Sequence, residues 1–133
     1  ETVQHPVNCV DQHYLSFIKN VLPQVKKKGL GRIAMKSNAI GALTKNNVAT
    51  IEECLRFSLS QEIDTLVSGP ETVEQLEQNV LIVKTMKKMS QVEMSALLSR
   101  TGKGPTGSKI ESYKKKEATA GNWPVHRDGE PGA

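Results

Sequence analysis

Short apolar runs alternate with longer stretches of helical periodicity over residues 1–100. Three of the runs read as strands: Thr2 to Val7, Gly31 to Met35 and Ile63 to Val67. Between the first two, Leu15, Ile18, Val21, Leu22 and Val25 recur at helical spacing. That spacing predicts a helix capped by Asp11 and stopped by Gly29, with Pro23 kinking or restarting it. Thr50-x-x-Glu53 is a capping box and opens a second helix, with Ile51, Cys54, Leu55 and Leu59 inward. Thr72-x-x-Gln75 opens a third, expected to bury Val73, Leu76, Val80 and Val83. Ser90-x-x-Glu93 opens a fourth, with Val92, Leu97 and Leu98 inward.

Strands joined through helices run parallel, with right-handed crossovers. Such sheets are covered on both faces or closed into a barrel. The second and third units run to roughly thirty residues, the repeat of a (β/α)8 barrel, and a whole barrel takes roughly 250 residues. The expected fold is therefore α/β: a partial (β/α)8 TIM barrel made of its last three βα units, a C-terminal helix and an extended tail. Nine of the sixteen glycines and prolines fall after residue 100, which separates a body over 1–100 from a tail over 101–133. A short helix over Ser108 to Ala118 is expected to dock Ile110 and Tyr113 on the body, while Lys114, Lys115 and Lys116 read as a solvated face.

Composition narrows the classes. Eighteen Lys and Arg against fourteen Asp and Glu leave +4, too dilute a charge to argue for nucleic acid. Aromatic residues make up only 4%, so the core must be aliphatic. No apolar run is long enough for a membrane span, and no charged-then-apolar leader opens the sequence at Glu1. Any targeting segment is expected upstream of it. Cys9 and Cys54 lack metal-ligand spacing and sit in apolar patterning, so they read as buried free thiols in a reducing, cytoplasmic setting.

In a parallel barrel the working face lies at the carboxyl ends of the strands. Three loops belong there: Asn8-Cys9-Val10-Asp11, Lys36-Ser37-Asn38-Ala39-Ile40-Gly41 and Ser68-Gly69-Pro70-Glu71. The third leads into a helix N-terminus, where free N–H groups and the helix dipole favour an anion such as phosphate. Gln75, Gln78 and Asn79 follow within two turns, in reach of a base or ribose. The plainer alternative makes Gly69 a tight turn and Gln75 a capping partner. Lys36, just past the second strand, is placed to bind phosphate, to form a Schiff base if desolvated, or simply to reach solvent. His5 shares a strand face with Val3 and Val7 and reads as structural, while His13 and His126 read as surface residues. No paired carboxylates, Ser-His-Asp set, metal-ligand cluster or Walker loop is present.

Taken together, these motifs resemble the carboxyl-terminal half of the aldo/keto reductase superfamily, in a bacterial branch. Val3-Gln4-His5-Pro6-Val7-Asn8 is similar to the family's sixth strand. The run from Leu22-Pro23 to Gly31-Arg32-Ile33-Ala34-Met35-Lys36 resembles the approach to the seventh, and Glu53 to Ser60 its following helix. Ser68-Gly69-Pro70-Glu71-Thr72-Val73-Glu74-Gln75-Leu76-Glu77-Gln78-Asn79 is similar to the eighth-strand cofactor motif. The resemblance implies NADPH- or NADH-dependent reduction of aldehydes or ketones to alcohols, with a small carbonyl substrate and neither membrane nor nucleic acid as partner. It implies Gln4 and Met35 at the nicotinamide. It implies Gly69, Pro70 and Glu71 along the adenosine phosphate and ribose, Gln75, Gln78 and Asn79 around the adenine, and Lys36 and Ser68 among the cofactor-binding residues. Two departures stand out. Met35 replaces the aromatic that many members stack on the ring, and Gly69 and Gln75 replace basic residues that grip a 2′-phosphate. The family's catalytic Tyr, Asp, Lys and His belong to the first half of the barrel, so the resemblance makes this the cofactor-holding half without its catalytic residues. The alternative is a non-catalytic half-barrel that binds nucleotide or associates with another chain.

Overall fold

A computed structural model describes residues 1–114. Strands β1 (Thr2–Pro6), β2 (Gly31–Met35) and β3 (Thr65–Leu66) form one sheet in the order β1-β2-β3, with both pairings parallel. Val3 stands opposite Arg32 and Pro6 opposite Met35, while Ile33 stands opposite Thr65. The fold is mixed α/β with a three-stranded parallel sheet, and each crossover passes through helices as the alternating pattern requires. β3 is shorter than the apolar run Ile63 to Val67, but Asp64 N donates to Arg32 O and Val67 N to Ala34 O at its ends.

The first crossover is not one kinked helix. A 3-10 turn over Asp11–His13 ends where Leu15 adopts φ 41°, and helices α1 (Phe17–Asn20) and α2 (Leu22–Lys27) follow. Ser16 is the N-cap of α1, its hydroxyl accepting from Lys19 N, and Pro23 sits in the first turn of α2, where its missing N–H costs nothing. Asp11 still serves the helix start from a distance: its carboxylate accepts from Phe17 N, Ile18 N and the Ser16 hydroxyl. Gly29, at φ 67°, ends α2.

The second crossover contains α3 (Ala42–Lys45) and α4 (Ile51–Leu59); the chain then runs through α5 (Val73–Thr85) and α6 (Gln91–Gly102). Both halves of the capping box form at Thr50/Glu53 and at Ser90/Glu93. At α5 the box is displaced by one residue. Thr72 accepts from Gln75 N, but the Gln75 side chain takes the N–H of Glu71 rather than that of Thr72.

The apolar core lies beside the carboxyl end of the sheet. It joins Cys9 and Val10, Ala39 and Leu43, Ala49, Cys54 and Phe57, Leu97 from α6 and Ile110 from the segment beyond it. The two thiols are free and fully buried, and their mutual contact and burial push the Cys54 thiol far up. Arg100–Glu53 and Arg56–Glu93 ion pairs, at 2.7 and 3.0 Å, tie α6 to α4.

Three expectations fail. Val73, Leu76, Val80 and Val83 do not face a core: they are 66, 49, 42 and 45% exposed, because no described element lies against that side of α5. Val92, at 80% exposed, points outward from the first turn of α6, whereas Leu97 is buried as expected. The tail forms two 3-10 turns, Gly107–Lys109 and Ser112–Lys114, in place of a helix from Ser108, and Lys114 is buried. Ile110 and Tyr113 do dock on the body; Lys115, Lys116, Ala118 and His126 lie outside the described residues.

Candidate functional site

Parallel strands deliver their following loops to the same end of the sheet, and here the segments after β2 and β3, with Gln4 from β1 itself, line a cleft of about 630 Å³. That volume lies within the roughly 300–1,000 Å³ of small-molecule sites. All ten residues singled out from the sequence line it. β1 supplies Gln4, whose amide Nε2 donates to Met35 Sδ at 3.4 Å across the strand pair. The end of β2 supplies Met35 and Lys36. The loop after β3 supplies Ser68, Gly69, Pro70 and Glu71, and the first two turns of α5 supply Gln75, Gln78 and Asn79.

The backbone around the cleft is unusual. Of the five non-glycine residues at positive φ among the described residues, three belong to one loop at its rim: Lys36 at 54°, Ala39 at 49° and Ile40 at 60°. The left-handed region costs a non-glycine residue roughly 1–3 kcal/mol, and it persists only where surrounding structure enforces it. Enforcement is visible. Asn38 Oδ1 accepts from Thr44 N at 3.0 Å, Asn38 Nδ2 donates to Thr44 Oγ1 at 2.9 Å, and Ala39 N donates to Lys36 O at 2.9 Å. Ile40 is thereby held 66% exposed over the cleft. Gly69, at φ 63°, is required for its backbone angle, since a side chain there would meet open space.

The donors and acceptors divide unevenly. Lys36 and Lys45 bring two ammonium groups and Glu71 one carboxylate. Gln75 is already engaged, because its side-chain carbonyl holds Glu71 N at 2.8 Å. Thr72 takes Gln75 N, so the N–H groups of Val73 and Glu74 remain without intrahelical partners. Asn79 is only 8% exposed, and among the described residues its amide has no hydrogen-bond partner. That amide is not sealed from solvent, since the buried unpaired polar atoms among the described residues are His5 Nε2 and Glu111 Oε1, so a ligand in the cleft would meet it in exchange for water.

Beside the cleft lies a buried polar network that sequence reasoning missed. Lys114 Nζ sits 2.7 Å from Asp11 Oδ1 and 2.9 Å from Glu111 Oε1, and it also donates to the carbonyls of Asp11 and Tyr14. The Tyr113 hydroxyl donates to Glu111 Oε2, and Asn8 Nδ2 points at Glu111 Oε2, Tyr113 Oη and the Lys36 carbonyl. Burial, then the bond to Glu111, holds the Tyr113 hydroxyl well above the ordinary tyrosine range, so it stays a proton donor within this network. Asn8 and Asp11, in the loop after β1, and Tyr113, expected to dock on the body, had a signal in the sequence; Glu111 and the burial of Lys114 had none.

Two histidines sit apart from the cleft. His5 is buried, stacked on Phe17 at 5.9 Å between ring centroids, with Nδ1 on the Pro6 carbonyl and Nε2 unpartnered. His13 is half-buried, not a surface residue, and lies 3.0 Å from Thr101 Oγ1. Because the Thr101 hydroxyl donates to the Cys9 carbonyl, His13 Nε2 carries the hydrogen in that contact. Among the described residues there is no group of three metal-ligating side chains, and no helix is long and apolar enough to cross a membrane. No protein-family description, curated protein or solved structure matches the chain.

Proposed function

We propose that the chain is the cofactor-holding part of a (β/α)8-barrel oxidoreductase of aldo/keto reductase type, binding NADPH or NADH in the cleft at the ends of its three strands. The observation that carries this reading is convergence. Strand β1 and the segments after β2 and β3, far apart in sequence, bring Gln4, two ammonium groups, the Asn79 amide and the opening turn of a thirteen-residue helix to one cleft. In the proposed arrangement Gln4 and Met35 meet the nicotinamide, and Lys36 with the Ser68–Glu71 loop follows the phosphates. The Asn79 amide, with Gln78 beside it, reads the adenine edge. The bound cofactor would supply hydride. These residues would orient it and exclude water from one face of the ring, while the proton donor that completes carbonyl reduction is assigned to the preceding half of the barrel.

The two sheet edges left open among the described residues and the exposed apolar side chains of α5 support the completing half as a neighbour, since parallel sheets are normally covered on both faces. They also support the second reading, association with another chain over the same surface. Titration of the full chain with NADPH, NADH and adenosine diphosphate, followed by calorimetry, tests the cofactor assignment. Dinucleotide binding that weakens about tenfold in Asn79→Ala is the expected result. Equal indifference to all three nucleotides would overturn it.

A further inference from the structure

The segment after α6 does not line the cleft itself but meets a residue that does. The Lys36 ammonium lies 5.2 Å from the centroid of the Tyr113 ring, whose hydroxyl is gripped by Asn8 and Glu111. Asn8 Nδ2 also points at the Lys36 carbonyl, 3.2 Å away. Both ends of Lys36 are thus referred to the same few atoms, and its backbone is fixed in the left-handed region. Tyr113 cannot drift alone. Glu111 is fully buried, and Lys114 pins the next residue to Asp11 and to the Tyr14 carbonyl. At the other end Gly107, at φ 61°, closes against the Tyr14 ring, and Ile110 is locked in the core.

A lysine free in solvent samples many rotamers, and an anion that captures it must freeze them. The quadrupole of an aromatic ring attracts the ammonium before any ligand arrives and removes part of that cost. We infer that Gly107–Lys114 is a positioning strap: Tyr113 holds Lys36 at the cleft, set to receive a diphosphate group. Only the identity of the diphosphate rests on the dinucleotide reading. Tyr113 is a positioning residue and touches no reacting atom.

The test uses the full chain labelled with carbon-13 lysine. In the wild type the Lys36 side-chain resonance, assigned by its loss in Lys36→Arg, is displaced upfield by the Tyr113 ring current. It moves to the solvent-lysine position in Tyr113→Leu and stays displaced in Tyr113→Phe, which keeps the ring. Calorimetric titration with inorganic pyrophosphate and with NADPH then reads the consequence. Tyr113→Leu weakens both about two- to fivefold, and Tyr113→Phe rescues the loss. Lys36→Gln weakens both about tenfold, and adding Tyr113→Leu to it changes nothing more. A wild-type Lys36 resonance at the solvent position overturns the inference whether or not the Tyr113 variants fold. So does absence of pyrophosphate binding, or an equal effect of Tyr113→Leu with and without Lys36. Coupling seen with pyrophosphate, together with no binding of NADPH, sinks the dinucleotide reading and leaves the strap standing.

Discussion

Replacing Lys114 by methionine isolates the buried ion cluster, because methionine fills much of the same volume and leaves only the charge missing. Lys114 Nζ donates to Asp11 Oδ1 at 2.7 Å, Tyr14 O at 2.8 Å and Asp11 O at 3.3 Å, and lies 2.9 Å from Glu111 Oε1 as an ion pair without a hydrogen bond. Removing one partner of a buried ion pair costs about 3–5 kcal/mol, mostly from the charge left behind. Here both carboxylates keep other donors. Asp11 retains Ser16, Phe17 and Ile18, and Glu111 retains Asn8 and Tyr113. That places the loss at the lower end, about 3 kcal/mol, against a total of roughly 5–15 kcal/mol for an ordinary domain. Urea unfolding followed by circular dichroism measures it, with the exposed Lys103→Met as control. Pairing Lys114→Met with Asp11→Asn should give a coupling above about 1 kcal/mol. A loss below about 1 kcal/mol, equal to that of the control, would mean that the ammonium is solvated and the strap is not held by this cluster.

Two further outcomes follow from exposure and titration. His13 is held below its ordinary value of 6.5, first by burial and then by Lys19, against the opposing pull of Glu111 and Asp11. The unfolded chain therefore binds more protons than the folded one in the window from the depressed folded value up to 6.5. Stability rises with pH through that window and is lost on acidification, and His13→Gln should flatten the change in urea midpoint between about pH 7.5 and about pH 5.5. An unchanged slope in the variant would assign the dependence elsewhere. On α5, Val73→Lys and Leu81→Lys alter side chains that are 66 and 63% exposed, so stability should shift by less than about 0.5 kcal/mol while self-association in sedimentation velocity declines. A loss above about 2 kcal/mol would show instead that this face is internally packed.

What could be read in advance was local. The strands were legible because each is a short apolar run bounded by breakers, and parallel pairing followed from the helices between them. Thr50/Glu53 and Ser90/Glu93 announced their helices because a capping box is complete within four residues. Gathering Gln4, Met35, Lys36 and the Ser68–Glu71 loop at one cleft needed only the rule that parallel strands share an end. Periodicity at Val73, Leu76, Val80 and Val83 revealed a stripe but not whether anything covers it. Lys114 misled for a related reason. Its neighbours in sequence are lysines, which suggests solvent, whereas its partner Asp11 lies 103 residues away and sends no local signal. Leu15 at φ 41° carries no glycine or proline to betray the break in the first crossover.

The separation between Asp11 and Lys114 also sets an order of events in time. A ribosome adding about 5–20 residues per second needs about 5–20 s to travel from one to the other. Throughout that interval the strands, the cleft loops and α6 are already outlined, but the Asp11 carboxylate has only neutral donors and Lys36 has no ring beside it. Contacts that close so long a loop form late and carry little weight in the folding transition state. Closing this loop is also what brings the Tyr113 ring over Lys36, so a chain caught before it would have its sheet outlined without that contact.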